Sequence, residues 1–167
     1  TELQDLLNLP EAPLRIECYD MAHLQGTDYV GSMVVLEDGL PMKREYRKFK
    51  IKDVPGNDDY AAMKEVLTRR LSAYIAERDM PVEQRGERPG KFAYPPQLIL
   101  VDGGKGQLGA AVESLKKLGL MGQVAIIGIA KRLEEIYFPG DPLPLYLDKR
   151  SETLSIIQQI RDEAHRF

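Results

Sequence analysis

One cysteine and no tryptophan occur among the 167 residues of this chain. The lone thiol, Cys18, rules out an internal disulfide framework, and its place in an apolar run suits a small buried hydrophobe in a reducing cytoplasm. Long hydrophobic runs are missing too. The longest, VAIIGIA at 124–130, has seven residues with Gly128 inside, against the roughly 20 that cross a bilayer. No membrane span or membrane partner is therefore expected. The opening TELQDLLNLPEAP lacks the basic and apolar segments of a signal peptide, so secretion is not expected either. The phosphate-binding pattern GxxxxGK[ST] is absent, which leaves nucleoside triphosphate hydrolysis without support and suggests no small-molecule substrate. Excess positive charge is also lacking. A net charge of -3 with a pI near 5.5 excludes a protein that coats nucleic acid through its whole surface.

What is present is enough for one core. With 43% apolar residues, the length suits a single domain over 1–167, with 1–13 as a lead-in and 79–96, rich in proline and charge, as a surface loop. Residues 14–20 (LRIECYD) read as a strand ending near Asp20, and 29–37 (YVGSMVVLE) and 42–51 as two more, joined through the turn EDGLP. A three-stranded meander follows from these. Asp58 or Asn57 can cap a helix reaching about Arg78, in which Tyr60, Met63, Leu67, Leu71 and Tyr74 recur at spacings of three and four. The apolar run QLILV at 97–101 suits a strand buried on both faces, followed by a helix through Leu108, Val112, Leu115 and Leu118 that Gly119 stops. The run 124–130 forms another buried strand, 134–147 a hairpin, and 152–165 a final helix. This order predicts an α/β fold: a mixed sheet, meander plus parallel strands, with helices on its faces.

Two aspartates close strands, Asp20 in LRIECYD and Asp102 in QLILVD. If those strands are neighbours, both carboxylates enter one crevice, where hard oxygen ligands suit Mg2+ or Mn2+ and would repel each other without a cation. Either aspartate alone reads equally as a cap on the following turn. Asp102 opens DGGKGQ, a glycine-rich strand-to-helix turn whose amides, with the Lys105 charge, suit a phosphate. Purely geometric Gly-Gly turns are common as well. His23 lies close enough in sequence to approach the crevice, although a hydrogen-bonded structural histidine is the commoner role. Glu17 alternates away from Asp20 and is expected on the other face. The run KREYRKFKIK at 43–52 concentrates Lys43, Arg44, Arg47, Lys48, Lys50 and Lys52 against Glu45. It suits a nucleic-acid backbone through Arg44, Arg47 and Lys48, or equally an edge strand blunted by lysines. Arg69, Arg70, Lys131 and Arg161 are further candidate phosphate contacts, with solvated or salt-bridged side chains as the alternative.

The segments IECYDMAHLQG at 16–26, EYRKFKI at 45–51, DDYAAMKEVLTRR at 58–70, LILVDGGKGQ at 98–107, GIAKR at 128–132 and IRDEAHRF at 160–167 come in order. Together they resemble the successive motifs of the C-terminal endonuclease domain of the UvrC family. Met21 and Ala22 stand where that family often has Ile and Ser, a change beside the Asp20 carboxylate and not in it. The resemblance implies an RNase H-like fold and a divalent-cation site of Asp20, Asp102 and His165. It also implies a supporting part for Asp59 in activity. His165 falls on the border of the apolar face of the last helix, set by Leu154, Ile157, Ile160 and Ala164. The implied activity is metal-dependent hydrolysis of a DNA phosphodiester, 5′ to a lesion. Damaged double-stranded DNA would be the substrate, delivered by a UvrB-type damage-loading partner, with Lys105 among the groups positioning the phosphate. A noncatalytic RNase H-like DNA-binding or protein-docking module, or a nuclease for RNA–DNA hybrid or branched DNA, are the alternatives.

Overall fold

A computed structural model describes residues 2–23, 29–51, 58–84, 86, 94–132 and 135–167, except for the side chains of His23 and Val82. In chain order the elements are α1 (Glu2–Leu6), β1 (Arg15–His23), β2 (Tyr29–Glu37), β3 (Leu40–Pro41), β4 (Arg47–Lys50), α2 (Asp59–Arg78), β5 (Leu98–Asp102), α3 (Gly104–Lys117), β6 (Ala125–Ile129), β7 (Glu135–Tyr137), β8 (Leu145–Tyr146) and α4 (Glu152–Arg166). Among the described residues the strands form one mixed sheet in the order β3-β2-β1-β5-β6-β7-β8, with β4 also paired to β2. β1 runs antiparallel to β2 and parallel to β5, and β5 is parallel to β6. The central strands carry the apolar runs because both of their faces are covered: Leu98, Ile99, Leu100 and Val101 are all buried.

Strand periodicity decides which helix covers which face. Arg15, Glu17 and Tyr19 point one way, and Arg70 of α2 reaches Glu17; Asp20 points the other way, and His165 of α4 reaches it. α2 and α3 pack against each other over the first face, and α4, with α1 beside it, covers the second. Caps set the helix ends. The Asp58 carboxylate accepts from the Ala61 amide 3.0 Å away, and Ser151 accepts from the Leu154 amide at 3.3 Å. Gly119, at φ 73°, supplies the left-handed turn that ends α3. Gly31 on β2 faces α2 so closely that an added Cβ would lie 2.5 Å from the Val66 side chain.

Five sequence expectations change. The lead-in contains α1, whose Leu3 is buried and whose Glu2 carboxylate accepts from the Glu152 amide and the Ser151 hydroxyl at the start of α4. β1 continues three residues past Asp20, because Met21, Ala22 and His23 keep pairing with Gly31, Val30 and Tyr29. The expected strand over 42–51 is divided. Pro41 pairs with Leu36 and Arg47 with Met33, so five residues, 42–46, stand opposite only Val34 and Val35; the surplus coils into a 3-10 turn, Lys43–Glu45. The surface loop holds a second such turn, Val82–Gln84. Tyr60, read as part of the apolar face of α2, is instead exposed, with its ring over Gly106. Lys52, Asn57 and Leu133 lie outside the described residues.

Candidate metal centre

Parallel pairing of Tyr19 with Val101 puts Asp20 and Asp102 side by side, one step further along β1 and β5. Both point to the face that α4 covers. α4 crosses that end of the sheet and lays His165 over the pair: its Nε2 is 3.2 Å from Asp102 Oδ2 and 3.9 Å from Asp20 Oδ2. Asp20, Asp102 and His165 each offer one ligand atom, and the three atoms lie within 4.8 Å of one another. Two hard carboxylates and an imidazole at that spacing fit a divalent cation of the Mg2+ or Mn2+ class. Charge points the same way. Burial, and then the neighbouring Asp102 carboxylate, push the Asp20 carboxyl up to about 6 from an ordinary 3.8, with His165 and Arg161 opposing the rise. Two carboxylates held together at the cost of raising one of them would be relieved by a cation between them.

That shift predicts a pH signature in metal-free protein. Between roughly pH 4 and 6 the folded state keeps a proton on Asp20 that the unfolded chain releases. The contribution of Asp20 to stability is therefore fullest below about 4 and declines as pH rises through about 6. In EDTA, thermal melts at pH 5 and 7.5 should show that decline, and Asp20→Asn should lessen it. Equal slopes for the two proteins would assign the decline to other groups.

The other residues singled out in the sequence fall into distinct places. Arg161, on α4, does not face outward for phosphate: it donates to the carbonyls of Ala130 and Lys131 at 3.2 and 3.1 Å, and its Nε is 3.4 Å from Asp102 Oδ2. Its positive charge lies beside Asp102, and the buried Nε makes no hydrogen bond to the carboxylate. Arg70 is fully buried and pairs with Glu17 at 2.8 Å, so the expectation that it contacts phosphate is corrected. A guanidinium sealed between sheet and helix reaches no backbone outside. Arg69 lies on the surface but bonds the Lys50 carbonyl at 2.8 Å and stacks 5.3 Å from the Phe49 centroid. Asp59 accepts from the Tyr29 hydroxyl, at the start of α2 on the opposite face, and is not a member of the three-residue group. Its negative charge helps raise the Tyr29 phenol well above its ordinary range, after burial. Lys105 is exposed in the first turn of α3, its Nζ 3.5 Å from the Pro142 carbonyl. Lys131 is exposed in the turn after β6.

On the basic segment, Lys48 and Lys50 alternate outward around buried Phe49, and Asp20 pairs with Ser32, which pairs with Lys48. Two strand spacings, about 10 Å, thus separate that lysine from Asp20 on one face, and a third spacing reaches Asp102. Arg44 lies outside the strand on the 3-10 turn, and Arg47 bonds the carbonyls of Arg44 and Tyr46, each at 2.8 Å. The side chain of His23 lies outside the described residues. The expectation for Glu17 holds: it faces away from Asp20, into a buried cluster with Arg15, Tyr19 and Arg70. That cluster was missed, although a charged residue inside an apolar strand signals a buried partner.

Residues 4–167 match a family model described as the UvrC RNAse H endonuclease domain. Among curated proteins, the UvrABC system protein C of Parafrankia sp. (strain EAN1pec) is 50% identical over 183 residues, covering 99% of this chain and 26% of its own. That of Flavobacterium johnsoniae is 51% identical over 166 residues, again 99% of this chain and 26% of its own. The chain thus spans about a quarter of the length of these relatives. Among solved structures, Ciona intestinalis endonuclease V in complex with a 24mer DNA containing an inosine followed by a ribo-adenosine gives a TM-score of 0.44 at 18% identity, over 90% of this chain and 56% of that one.

Proposed function

The chain belongs to the UvrC RNase H endonuclease domain family, and from that premise we propose that residues 1–167 form a single catalytic unit that cleaves a DNA phosphodiester with Mg2+ or Mn2+. The convergence of Asp20, Asp102 and His165 at one end of the sheet carries this reading. The Asp20 and Asp102 carboxylates would hold the cation, with His165 Nε2 as a third ligand. A divalent cation bound there supplies charge stabilisation for phosphoryl oxygens and makes water more acidic. Arg161 places its positive charge beside Asp102 and anchors the 130–131 turn through two carbonyls. Lys105 and the amides opening α3, where Gly103 and Gly104 have φ 139° and 77°, orient the scissile phosphate. Asp59, bonded to Tyr29 on the opposite face, supports the reaction without joining the three-residue group.

The substrate we infer is damaged double-stranded DNA, incised 5′ to the lesion and delivered by a UvrB-type partner in the cytoplasm. The shared name of the relatives, UvrABC system protein C, supports that inference. Cleavage of damaged duplex, RNA–DNA hybrid and branched DNA, each compared in Mg2+, Mn2+ and EDTA, tests it. Damaged duplex should be preferred, in the presence of the loading partner, and EDTA should stop the reaction. Imidazole ligation favours Mn2+, which should work at least as well as Mg2+. Cleavage that persists in EDTA, or a preference for hybrid, would overturn the assignment.

The DNA path follows from the basic segment beside the site. Replacing Arg44, Lys48 and Lys50 with Gln should weaken DNA binding and reduce the magnitude of its log-log salt slope by about 0.9 for each phosphate that is no longer neutralised. Arg47 contributes less, since two carbonyls already engage its guanidinium. A salt slope identical to that of the native chain would leave these lysines a role in blunting an edge strand only.

A further inference from the structure

His165 can stand over the two carboxylates only while α4 is tied to the sheet beneath it. Its side chain is half exposed, with its Nε2 3.2 Å from Asp102 Oδ2 and 3.9 Å from Asp20 Oδ2. The tie lies two residues back along the helix. Tyr46, buried between the 3-10 turn and β4, donates its hydroxyl to Glu163 Oε2 at 2.9 Å across 117 residues of sequence. Glu163 is buried as well, and its other oxygen receives Arg166 at 2.5 Å. Phe167 sets its ring edge-on to Tyr46, with centroids 5.2 Å apart, and Lys48 Nζ lies 4.9 Å from the Phe167 centroid. The Phe167 amide meanwhile closes the helix on the Glu163 carbonyl at 3.1 Å. Four residues thus clasp the end of α4 to the start of β4.

We propose that Tyr46 and Glu163 are positioning residues for His165: their buried hydrogen bond fixes the last turn of α4 so that the imidazole stands over Asp20 and Asp102. The inference rests on the reading of His165 as a cation ligand. Neither residue touches the site. Each acts through the helix backbone, which transmits a fixed point at residue 163 to residue 165 as rotation and height above the sheet. A side-chain hydroxyl on a buried carboxylate is a short, directional tether, and a stacked ring alone allows sliding.

The test is a double-mutant cycle read by Mn2+ affinity in calorimetry, with no cleavage needed. Tyr46→Phe removes only the hydroxyl and should weaken Mn2+ binding about tenfold in the native background. In the His165→Ala background it should change affinity less than about twofold. Glu163→Gln keeps an acceptor for Tyr46 and should bind Mn2+ within about threefold of the native chain, whereas Glu163→Leu should match Tyr46→Phe. Ser151→Ala, which weakens α4 at its far end, controls for general destabilisation and should leave affinity unchanged. Equal losses from Tyr46→Phe in both backgrounds, no loss in the native one, or a loss from Ser151→Ala of the same size would overturn the positioning role. If His165→Ala itself leaves Mn2+ binding intact, the ligand reading of His165 fails, and the inference with it.

Discussion

Asp20→Asn, or Asp102→Asn, should lower metal-dependent DNA cleavage by at least about 10^3-fold, which corresponds to about 4 kcal/mol of transition-state stabilisation. Each substitution removes one anionic ligand from a group of three while keeping nearly the same shape. The strands beneath are held by backbone pairing and by buried Cys18, Leu100 and Val101, none of which the change disturbs. Folding should therefore survive, and without metal Asp20→Asn should melt slightly higher, because it relieves the repulsion between two half-buried carboxylates. Mn2+ affinity should fall with activity. Single-turnover rates and calorimetric titration provide the check, and activity within tenfold of the native chain would remove the residue from the proposed site.

The largest effect on stability should come from the opposite face of the same strand. Glu17 accepts from Arg15 at 2.9 Å, from Arg70 at 2.8 Å and from the Tyr19 hydroxyl at 2.5 Å, all out of solvent. Arg15 extends the network to Glu37 and Glu45 at 2.6 and 2.8 Å, and Arg70 reaches the Tyr94 carbonyl at 2.6 Å. Removing one partner leaves an uncompensated buried charge, a loss of about 3–5 kcal/mol. Arg70→Ala or Glu17→Ala should thus lower Tm by about 10 °C, at roughly 2–4 °C per kcal/mol for a domain of this size. Replacing both together with Met should cost far less than the sum, since packed apolar groups need no counter-charge. Melting curves with DNA affinity measured in parallel decide the matter. If Arg70→Ala melts like the native chain and binds DNA more weakly, the side chain contacts phosphate after all.

Much of the scaffold was legible in the sequence because burial on two faces leaves an unbroken apolar run. QLILV and VAIIGIA read as central strands for that reason, and Asp58 announced the start of α2 by its capping chemistry. The pair Asp20 and Asp102 was legible as two acids closing neighbouring apolar runs. His165 came only from the resemblance, since a helix border position marks many unremarkable residues. Arg70 was misread by its type, as charged residues are seldom fully buried. Its spacing said otherwise: Met63, Val66, Leu67, Arg70 and Leu71 share one helical face. The turn at 43–45 was illegible, because it arises from pairing across β2 at Leu36 and Met33, a constraint that no local window contains. The Tyr46–Glu163 bond spans 117 residues and has no local signature at all.

Position in the sheet orders the site in time as well as in space. β1 and β5 are hydrogen-bonded on both sides, by β2 and by β6, so their amides should exchange with solvent only when the whole domain opens. The last turn of α4 has no flanking ladder and is held by the contacts of Glu163 and Phe167 with Tyr46 and Lys48. Its amides should exchange earlier, through a local opening that leaves the sheet intact. In that open state the carboxylates stay aligned while the imidazole swings away, so the first species on the exchange pathway is a two-acid site on a folded domain.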